Sequence, residues 1–294
     1  MPTGEDWTNA TPSQMFGRVL RPDELLTRTT YGQAAPDQRL RRWVERYWSV
    51  RWELADDEVF HASTLDEPAV NITVERGGVH RAGTCGSDAH PTAGCGAGVW
   101  VTGPVSAGRF DVSLTATGGV VGVKFRVGGI AAFRDHDLGG IRDRTVPASA
   151  WFGVRAPDPQ LPLDAEKAAP YLDSWLLEWG PGDPPGFDRF LRVLDLLASP
   201  EITTLSVLAE RTGQSVRTLQ RLIGRFTGMG AKRMLVRARV MDAVAAIDRD
   251  DPRDIVDLAM DLGWFDQPHF IRDFRTITGE TPGRYAQRTR FREQ

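Results

Sequence analysis

Arg, Gln and His side chains recur at helical spacing in two segments of the C-terminal third of the sequence. Each segment starts with a residue type that caps helices, Ser215 in the first and Asp266 in the second. The polar residues on the outer faces of the two segments are Arg217, Gln220, Arg221, Gln267, His269 and Arg272. Because Arg and Gln match the hydrogen-bonding edges of guanine and adenine, these residues predict base reading in the major groove of double-stranded DNA.

A short helix and a glycine precede each of these segments. Residues 205–212 have apolar side chains at helical spacing and end at Gly213, and residues 254–262 repeat that pattern and end at Gly263. The apolar residues of the capped helices, on the side away from the polar ones, are Leu219, Leu222, Ile223, Phe226, Phe270, Phe274 and Ile277. One copy alone is equally typical of a solvated helix pair, but a duplicated unit with a connecting helix at 230–247 favours two helix-turn-helix motifs.

Basic residues concentrate in and after the first capped helix. Residues 211–239 contain eight Lys and Arg and no Asp or Glu, and residues 201–294 have a net charge of +3 although the whole chain has −3. Such a basic run is an electrostatic footprint for phosphate. The residues that we expect to contact phosphates or to frame the helices are Ser215, Thr218, Arg225, Lys232, Arg233 and Arg275.

Residues 187–288 resemble the DNA-binding domain of the AraC/XylS family of transcription regulators. The resemblance rests on residues 215–221, on residues 237–243 and above all on residues 261–285, with their Gly-Trp, Phe-x-x-x-Phe, Thr-Gly and Thr-Pro elements. It implies transcription regulation, by activation or by repression, with RNA polymerase as a partner. It also places the base-reading positions on the six outer-face residues named first.

The N-terminal half has the period of two that is typical of β-strands. Strands are predicted at 44–53, 58–65, 69–75, 98–102, 109–115 and 120–127, which indicates an antiparallel barrel or sandwich. The fold class is therefore α+β, with a β-rich domain followed by an all-α domain. The predicted divisions are a partly ordered lead-in at 1–38, the β-rich domain at 39–155, a helix and Pro/Gly linker at 156–186, and the DNA-binding domain at 187–294.

Parts of this β-rich domain resemble the cupin-like sensor region of some AraC/XylS regulators. The resemblance rests on residues 42–48, 68–74, 102–105 and 122–130. It implies that the domain senses a small-molecule effector or forms a homodimer. A predicted helix at 163–179 has an apolar stripe that is either a dimer surface or a face packed on the β-domain. The tryptophans of the β-rich half are expected in its core.

Four potential metal ligands lie in a Gly-rich stretch, namely His80, Cys85, His90 and Cys95. Zinc and copper prefer these side chains, but the spacing matches no metal-binding motif, and a flexible loop explains the same residues. A disulfide between the two cysteines is a further alternative. The competing function is a metal-dependent cupin-type enzyme or a metal or redox sensor that uses this loop.

The remaining signals argue against an enzyme or a membrane protein. The sequence has no His-x-His pair with downstream Glu and His, no nucleophile elbow and no phosphate-binding loop with Lys, so we expect neither catalysis nor a cofactor. It also has no apolar run of membrane-spanning length and no secretory signal, which predicts a cytoplasmic protein.

Overall fold

An antiparallel sheet occupies the N-terminal half of the protein, and helices occupy the rest. The computed structural model describes residues 18–19, 22–65, 68–81, 97–106, 108–134, 137–199, 201–249 and 255–290. The strands are β1 (Arg18–Val19), β2 (Thr29–Ala34), β3 (Val44–Glu53), β4 (Val59–Leu65), β5 (Asn71–Arg81), β6 (Gly98–Thr102), β7 (Phe110–Phe125) and β8 (Thr145–Pro147). The predicted α+β architecture, a β-rich half followed by a helical domain, is confirmed.

Strand β7 is the centre of the sheet. Its first half pairs with β4, its second half pairs with β3, and β5 runs along its other edge. The sheet continues from β5 to β6 and β8, while β1 pairs with β4 and β2 pairs with β3. All of these pairings are antiparallel, and the sheet is open among the described strands.

The sequence prediction of separate strands at 109–115 and 120–127 is wrong, because β7 is one continuous strand. Gly118 and Gly119 indicated a turn, but here they allow close packing instead. A Cβ atom on Gly118 would lie 2.3 Å from the Trp52 ring. The register with β5 shifts between Gly77 and Gly78, so the irregularity is a β-bulge within a ladder and not a chain reversal.

The described helices are α1 (Pro22–Arg28), α2 (Ala148–Phe152), α3 (Ala165–Leu177), α4 (Phe187–Leu197), α5 (Leu205–Thr212), α6 (Val216–Thr227), α7 (Ala231–Asp248), α8 (Ile255–Asp261), α9 (Gln267–Thr278) and α10 (Pro282–Arg290). None of them is long and apolar enough to cross a membrane. The sequence patterns missed α1 and β2, both within the range assigned to a lead-in. Since β2 pairs with β3 over its whole length, the sheet begins before residue 39.

Helix α3 lies against the β-rich domain. Leu172 and Leu176 are buried, and the rings of Trp175 and Trp179 each lie 5.3 Å from the ring of Phe152. The Tyr47 hydroxyl donates a 2.6 Å hydrogen bond to Asp173, which ties the helix to β3. Of the two alternatives for the apolar stripe, packing on the β-domain therefore accounts for most of its residues.

The main hydrophobic core runs from the sheet domain into the helical domain. It includes β-strand residues such as Tyr47 and Phe125 together with Phe187, Phe190 and Phe226. A second core joins α7, α8, α9 and α10, and Leu65 at the end of β4 belongs to it. The two halves of the chain therefore share buried apolar surface in both places.

Candidate nucleic-acid interface

Helices α5 and α6 form the first predicted helix-turn-helix. Gly213 ends α5 with a φ of +63°, a conformation that favours glycine. The Ser215 hydroxyl then accepts a 3.2 Å hydrogen bond from the backbone N–H of Thr218 and so caps α6. The residues predicted to face inward, Leu219, Leu222, Ile223 and Phe226, are all buried. Arg217, Gln220, Arg221 and Arg225 are exposed, and Thr218 is half-buried.

Helices α8 and α9 form the second motif by the same means. Gly263 has a φ of +81°, and the Asp266 carboxylate accepts a 2.7 Å hydrogen bond from the backbone N–H of His269. Pro268 lies in the first turn of α9, where a missing N–H costs no helical hydrogen bond. The predicted inward residues Phe270, Phe274 and Ile277 are buried, whereas Gln267, Arg272 and Arg275 are exposed.

A family described as "Helix-turn-helix domain" matches residues 208–288, which span both motifs. The C-terminal domain is an AraC-type helix-turn-helix domain. Residues 32–147 match a family described as "Domain of unknown function (DUF6597)", so the family match assigns the N-terminal half no activity. No curated protein sequence matches the chain.

Several solved structures are similar to this chain. The C-terminal domain of AraT, a response regulator from Geobacillus stearothermophilus, is 22% identical over 36% of this chain and 86% of its own, with a TM-score of 0.31. ToxT from Vibrio cholerae, bound to (E)-4-(8-methylnaphthalen-1-yl)but-3-enoic acid, is 9% identical over 89% and 98% of the two chains, with a TM-score of 0.39. CuxR, an AraC-like transcriptional activator, is 13% identical over 79% and 95%, with a TM-score of 0.20.

The His269 side chain of the AraC-type domain contacts another residue of the same helix, α9. Its Nε2 atom lies 3.3 Å from a carboxylate oxygen of Asp273. The same oxygen accepts a 3.0 Å hydrogen bond from the indole of Trp264. A base contact by His269 would therefore compete with this local pair, unlike contacts by the exposed Gln267 and Arg272.

The basic run of the AraC-type domain does not face solvent along its whole length. Arg237, a member of the basic run that is not among the predicted phosphate contacts, is only 1% exposed. Arg239 is half-buried with its guanidinium 4.0 Å from the centre of the Trp264 ring. Burial lowers the pKa of Arg239, and the charge of Asp273 partly opposes this effect. The exposed members of the run are Arg211, Arg217, Arg221, Arg225, Lys232 and Arg233.

Two of the residues predicted to contact phosphate, Arg233 and Arg225, also form hydrogen bonds within the protein. Arg233 donates a 2.7 Å hydrogen bond to the Ser106 hydroxyl, and that hydroxyl in turn donates to Asp143. Arg225 donates a 2.8 Å hydrogen bond to the carbonyl of Pro185 in the linker. Lys232 and Arg275 are exposed. Sequence patterns gave no signal for Ser106 or Asp143, because these residues precede Arg233 by 127 and 90 positions.

The N-terminal domain contacts both helix-turn-helix motifs. At the end of α6, the Gly228 carbonyl accepts a 3.0 Å hydrogen bond from Arg142. At the end of α9, the Thr276 carbonyl accepts a 2.7 Å hydrogen bond from the backbone N–H of Gly108. Gly228 also has a φ of +64°, and a Cβ there would lie 2.7 Å from the Leu138 backbone, so this contact requires glycine. A change in the N-terminal domain can therefore reach either motif directly.

Of the four candidate metal ligands, the structure describes only His80. His80 is exposed near the end of β5, where its ring lies 3.5 Å from the Thr115 hydroxyl. Cys85, His90 and Cys95 lie outside the described residues. Within the described ranges, no group of three or more His, Cys, Asp or Glu could hold a metal ion.

The Ser215→Ala variant tests whether the cap at Ser215 stabilises the first helix-turn-helix motif. The Ser215→Ala variant should lose about 1 kcal/mol of unfolding free energy, because the N–H of Thr218 loses its partner. Urea denaturation followed by circular dichroism would measure the loss. Ser206→Ala is the matched control, since Ser206 is exposed and makes no capping bond in α5. Equal stability of the two variants would show that the Ser215 cap contributes nothing.

Proposed function

We propose that this protein is a sequence-specific transcription regulator that reads two successive major grooves with α6 and α9. The observation that carries the proposal is the pair of capped helices within one AraC-type domain, each with a buried apolar face and an exposed polar face. Major-groove readers place such a second helix against base edges. Because α7 joins the motifs and packs in both cores, the two helices belong to one rigid frame.

Base reading is assigned to the outer faces of the two helices. Arg217 and Arg221 fit bidentate contacts to guanine, and Gln220 and Gln267 fit adenine. Arg272 is exposed on α9 in the same manner, while His269 joins the set only after leaving Asp273. Ser215, Thr218, Arg225, Lys232, Arg233 and Arg275 are assigned to phosphate contacts or to framing of the helices.

The N-terminal domain is proposed to control DNA binding through a small effector or through homodimerisation. Its contacts with the ends of α6 and α9 support this role, because they link it to both motifs. RNA polymerase is the further partner proposed for an activator of this type, and chromosomal DNA as a target implies a cytoplasmic protein. In this proposal the chain binds DNA and catalyses no reaction.

Selection from a random pool of duplex DNA tests the proposed function. The full-length protein should enrich a site with two conserved half-sites whose centres are about 10 base pairs, or roughly 34 Å, apart. Fluorescence anisotropy with the selected duplex and a scrambled duplex would then measure the specificity ratio. Failure to enrich any sequence, or equal affinity for both duplexes, would reject sequence-specific regulation.

The Lys232→Ala variant tests the proposed phosphate contacts. The Lys232→Ala variant should weaken binding to the selected and scrambled duplexes by the same factor, because a phosphate contact carries no sequence information. The slope of log affinity against log salt should become shallower by about 0.9. Lys167→Ala on α3 is a matched control, since Lys167 is also exposed but lies outside the AraC-type domain. An unchanged salt slope in Lys232→Ala would remove Lys232 from the interface.

A further inference from the structure

Phe265 is an exposed aromatic residue in the turn of the second helix-turn-helix motif. Its side chain is 88% exposed, more than any other aromatic side chain in the described part of the chain. It belongs to none of the hydrophobic cores of the described residues, and it is not among the residues assigned to base reading. Because an apolar ring gains free energy when it leaves water, contact with a partner would stabilise it.

The backbone on both sides of Phe265 is fixed. Trp264 is 3% exposed, its ring lies 4.8 Å from the Phe270 ring, and its backbone N–H donates a 2.9 Å hydrogen bond to the Ala259 carbonyl. On the other side, Asp266 accepts the 2.7 Å capping bond from the N–H of His269. Since both neighbours are held, Phe265 has a defined position from which its ring extends into solvent.

This position is beside the end of α9 that is proposed to enter the major groove. Reading helices of this type contact base edges with their N-terminal residues. Gln267 is the first residue of α9, and its Cα lies within about 7.6 Å of the Phe265 Cα, because consecutive Cα atoms are about 3.8 Å apart. Successive base pairs are about 3.4 Å apart along the duplex. Phe265 therefore reaches a base within about two steps of the base that Gln267 contacts.

The chemistry of the Phe265 ring restricts what it recognises in a major groove. The ring has no hydrogen-bonding group, whereas adenine, guanine and cytosine present hydrogen-bond donors and acceptors there. Thymine adds an apolar methyl group, and Phe is one of the side chains that contact it. Insertion of an apolar side chain between base steps is the alternative mode, but it occurs from the minor groove. A ring at the start of α9 therefore fits the thymine methyl group.

The first motif has no counterpart of this ring. Gln214 precedes the cap at Ser215 as Phe265 precedes the cap at Asp266, and Gln214 is polar and half-buried. An apolar contact is therefore expected in only one of the two half-sites. A thymine preference confined to one half-site would fix the direction in which the protein lies on its DNA.

We propose that Phe265 is a further specificity-determining residue, which contacts the methyl group of a thymine in the half-site read by α9. Gln267 and Phe265 then read neighbouring base positions in that half-site, one by hydrogen bonds and the other by apolar contact. The assignment rests on the function proposed above, because it requires α9 in a major groove.

Replacement of thymine by deoxyuridine in the selected duplex tests this assignment. Deoxyuridine pairs as thymidine does but lacks the methyl group, and each thymine of both half-sites is replaced in turn. One replacement, in one half-site, should weaken binding of the full-length protein by about fourfold, the factor that corresponds to one buried methyl group. In Phe265→Ala the same replacement should change the affinity by less than about twofold, since the contacting ring is absent. Fluorescence anisotropy would measure the four affinities of this cycle.

Met260→Ala is the matched control. Met260 is also apolar and is 57% exposed, but it lies on α8, the first helix of the same motif. Its removal should leave both the affinity for the selected duplex and the effect of deoxyuridine unchanged. Thermal unfolding of both variants would verify that they fold.

The outcomes separate this assignment from the proposed function. If a site is selected but no thymine shows the deoxyuridine effect, or if the effect persists in Phe265→Ala, the contact is rejected and the regulator remains. Equal weakening of the selected and scrambled duplexes by Phe265→Ala would also overturn it. Unchanged DNA affinity with reduced transcription by purified RNA polymerase would assign the ring to a protein partner instead. If no sequence is selected, the proposed function and the contact fail together.

Discussion

Replacement of Phe226 by alanine is expected to lower the unfolding free energy of this protein by about 3–5 kcal/mol. Phe226 is 0% exposed, and its ring lies 4.7 Å from Phe190 and 5.5 Å from Phe187. The substitution would remove these aromatic contacts and leave a cavity that rigid neighbours fill only in part. Phe226 is on α6, so the same change would disturb the second helix of the first helix-turn-helix motif.

The loss of stability in Phe226→Ala should extend to the N-terminal domain, because Phe226 belongs to the core that both halves share. Phe190 packs closely on Gly128, where a Cβ would lie only 2.6 Å from the Phe190 ring. Trp43 is in the same core, and it is one of several tryptophans of the β-rich half that contribute to the fluorescence of the chain. In urea, circular dichroism and tryptophan fluorescence should therefore show one shifted transition in Phe226→Ala.

Phe265→Ala is the control for this substitution. The Phe265 side chain is 88% exposed, so its removal should change stability by less than about 0.5 kcal/mol. A loss below about 1 kcal/mol in Phe226→Ala would contradict the shared core. So would a transition of the helical domain that shifts alone while the fluorescence transition stays in place.

The helix-turn-helix motifs were predictable from sequence because their signals are local. Ser215 and Asp266 cap their helices within three residues, and Gly213 and Gly263 have the positive φ that a helix end often requires. The apolar spacing then fixed which faces are buried. These interactions depend little on the rest of the chain, which is why the predicted elements and inward faces are confirmed.

The features that were missed depend on distant parts of the chain. Gly118 and Gly119 lie within β7 because Trp52 packs against Gly118, and no local pattern reports that contact. Arg237 is buried in the helical domain although it lies in a run of exposed basic residues. The bond from Arg233 to Ser106 joins the two domains, so its existence depends on how they pack. A cavity lined by side chains of several strands of the sheet likewise has no sequence motif of its own.

The difference between local and distant contacts matters for how the proposed regulator would be controlled. The local signals define the surface proposed to read DNA, whereas the distant contacts place the N-terminal domain against the ends of α6 and α9. Arg233, assigned to phosphate contact, is engaged by Ser106 of that domain. In the proposed function, binding of DNA phosphate and packing of the N-terminal domain would use the same side chain, and this would couple the two events.

Arg221→Ala is expected to give the largest loss of sequence preference. Arg221 is exposed on the outer face of α6, one turn after Arg217, and is assigned a bidentate contact with a base. Its loss should cost about 1–3 kcal/mol on the selected duplex and relax the preference at one base position. Binding to a scrambled duplex should weaken much less, since only the general attraction of one positive charge is lost there.

Arg211→Ala is the matched control for Arg221→Ala. Arg211 is exposed at the end of α5 and pairs with Glu201, so it lies on the first helix of the motif and not on the reading helix. Its removal should leave base preference unchanged while altering the charge of the domain by the same amount. If Arg221→Ala weakened the selected and scrambled duplexes equally, as expected for a phosphate contact, its base-reading role would be rejected. The outer face of α6 would then serve DNA affinity and not recognition.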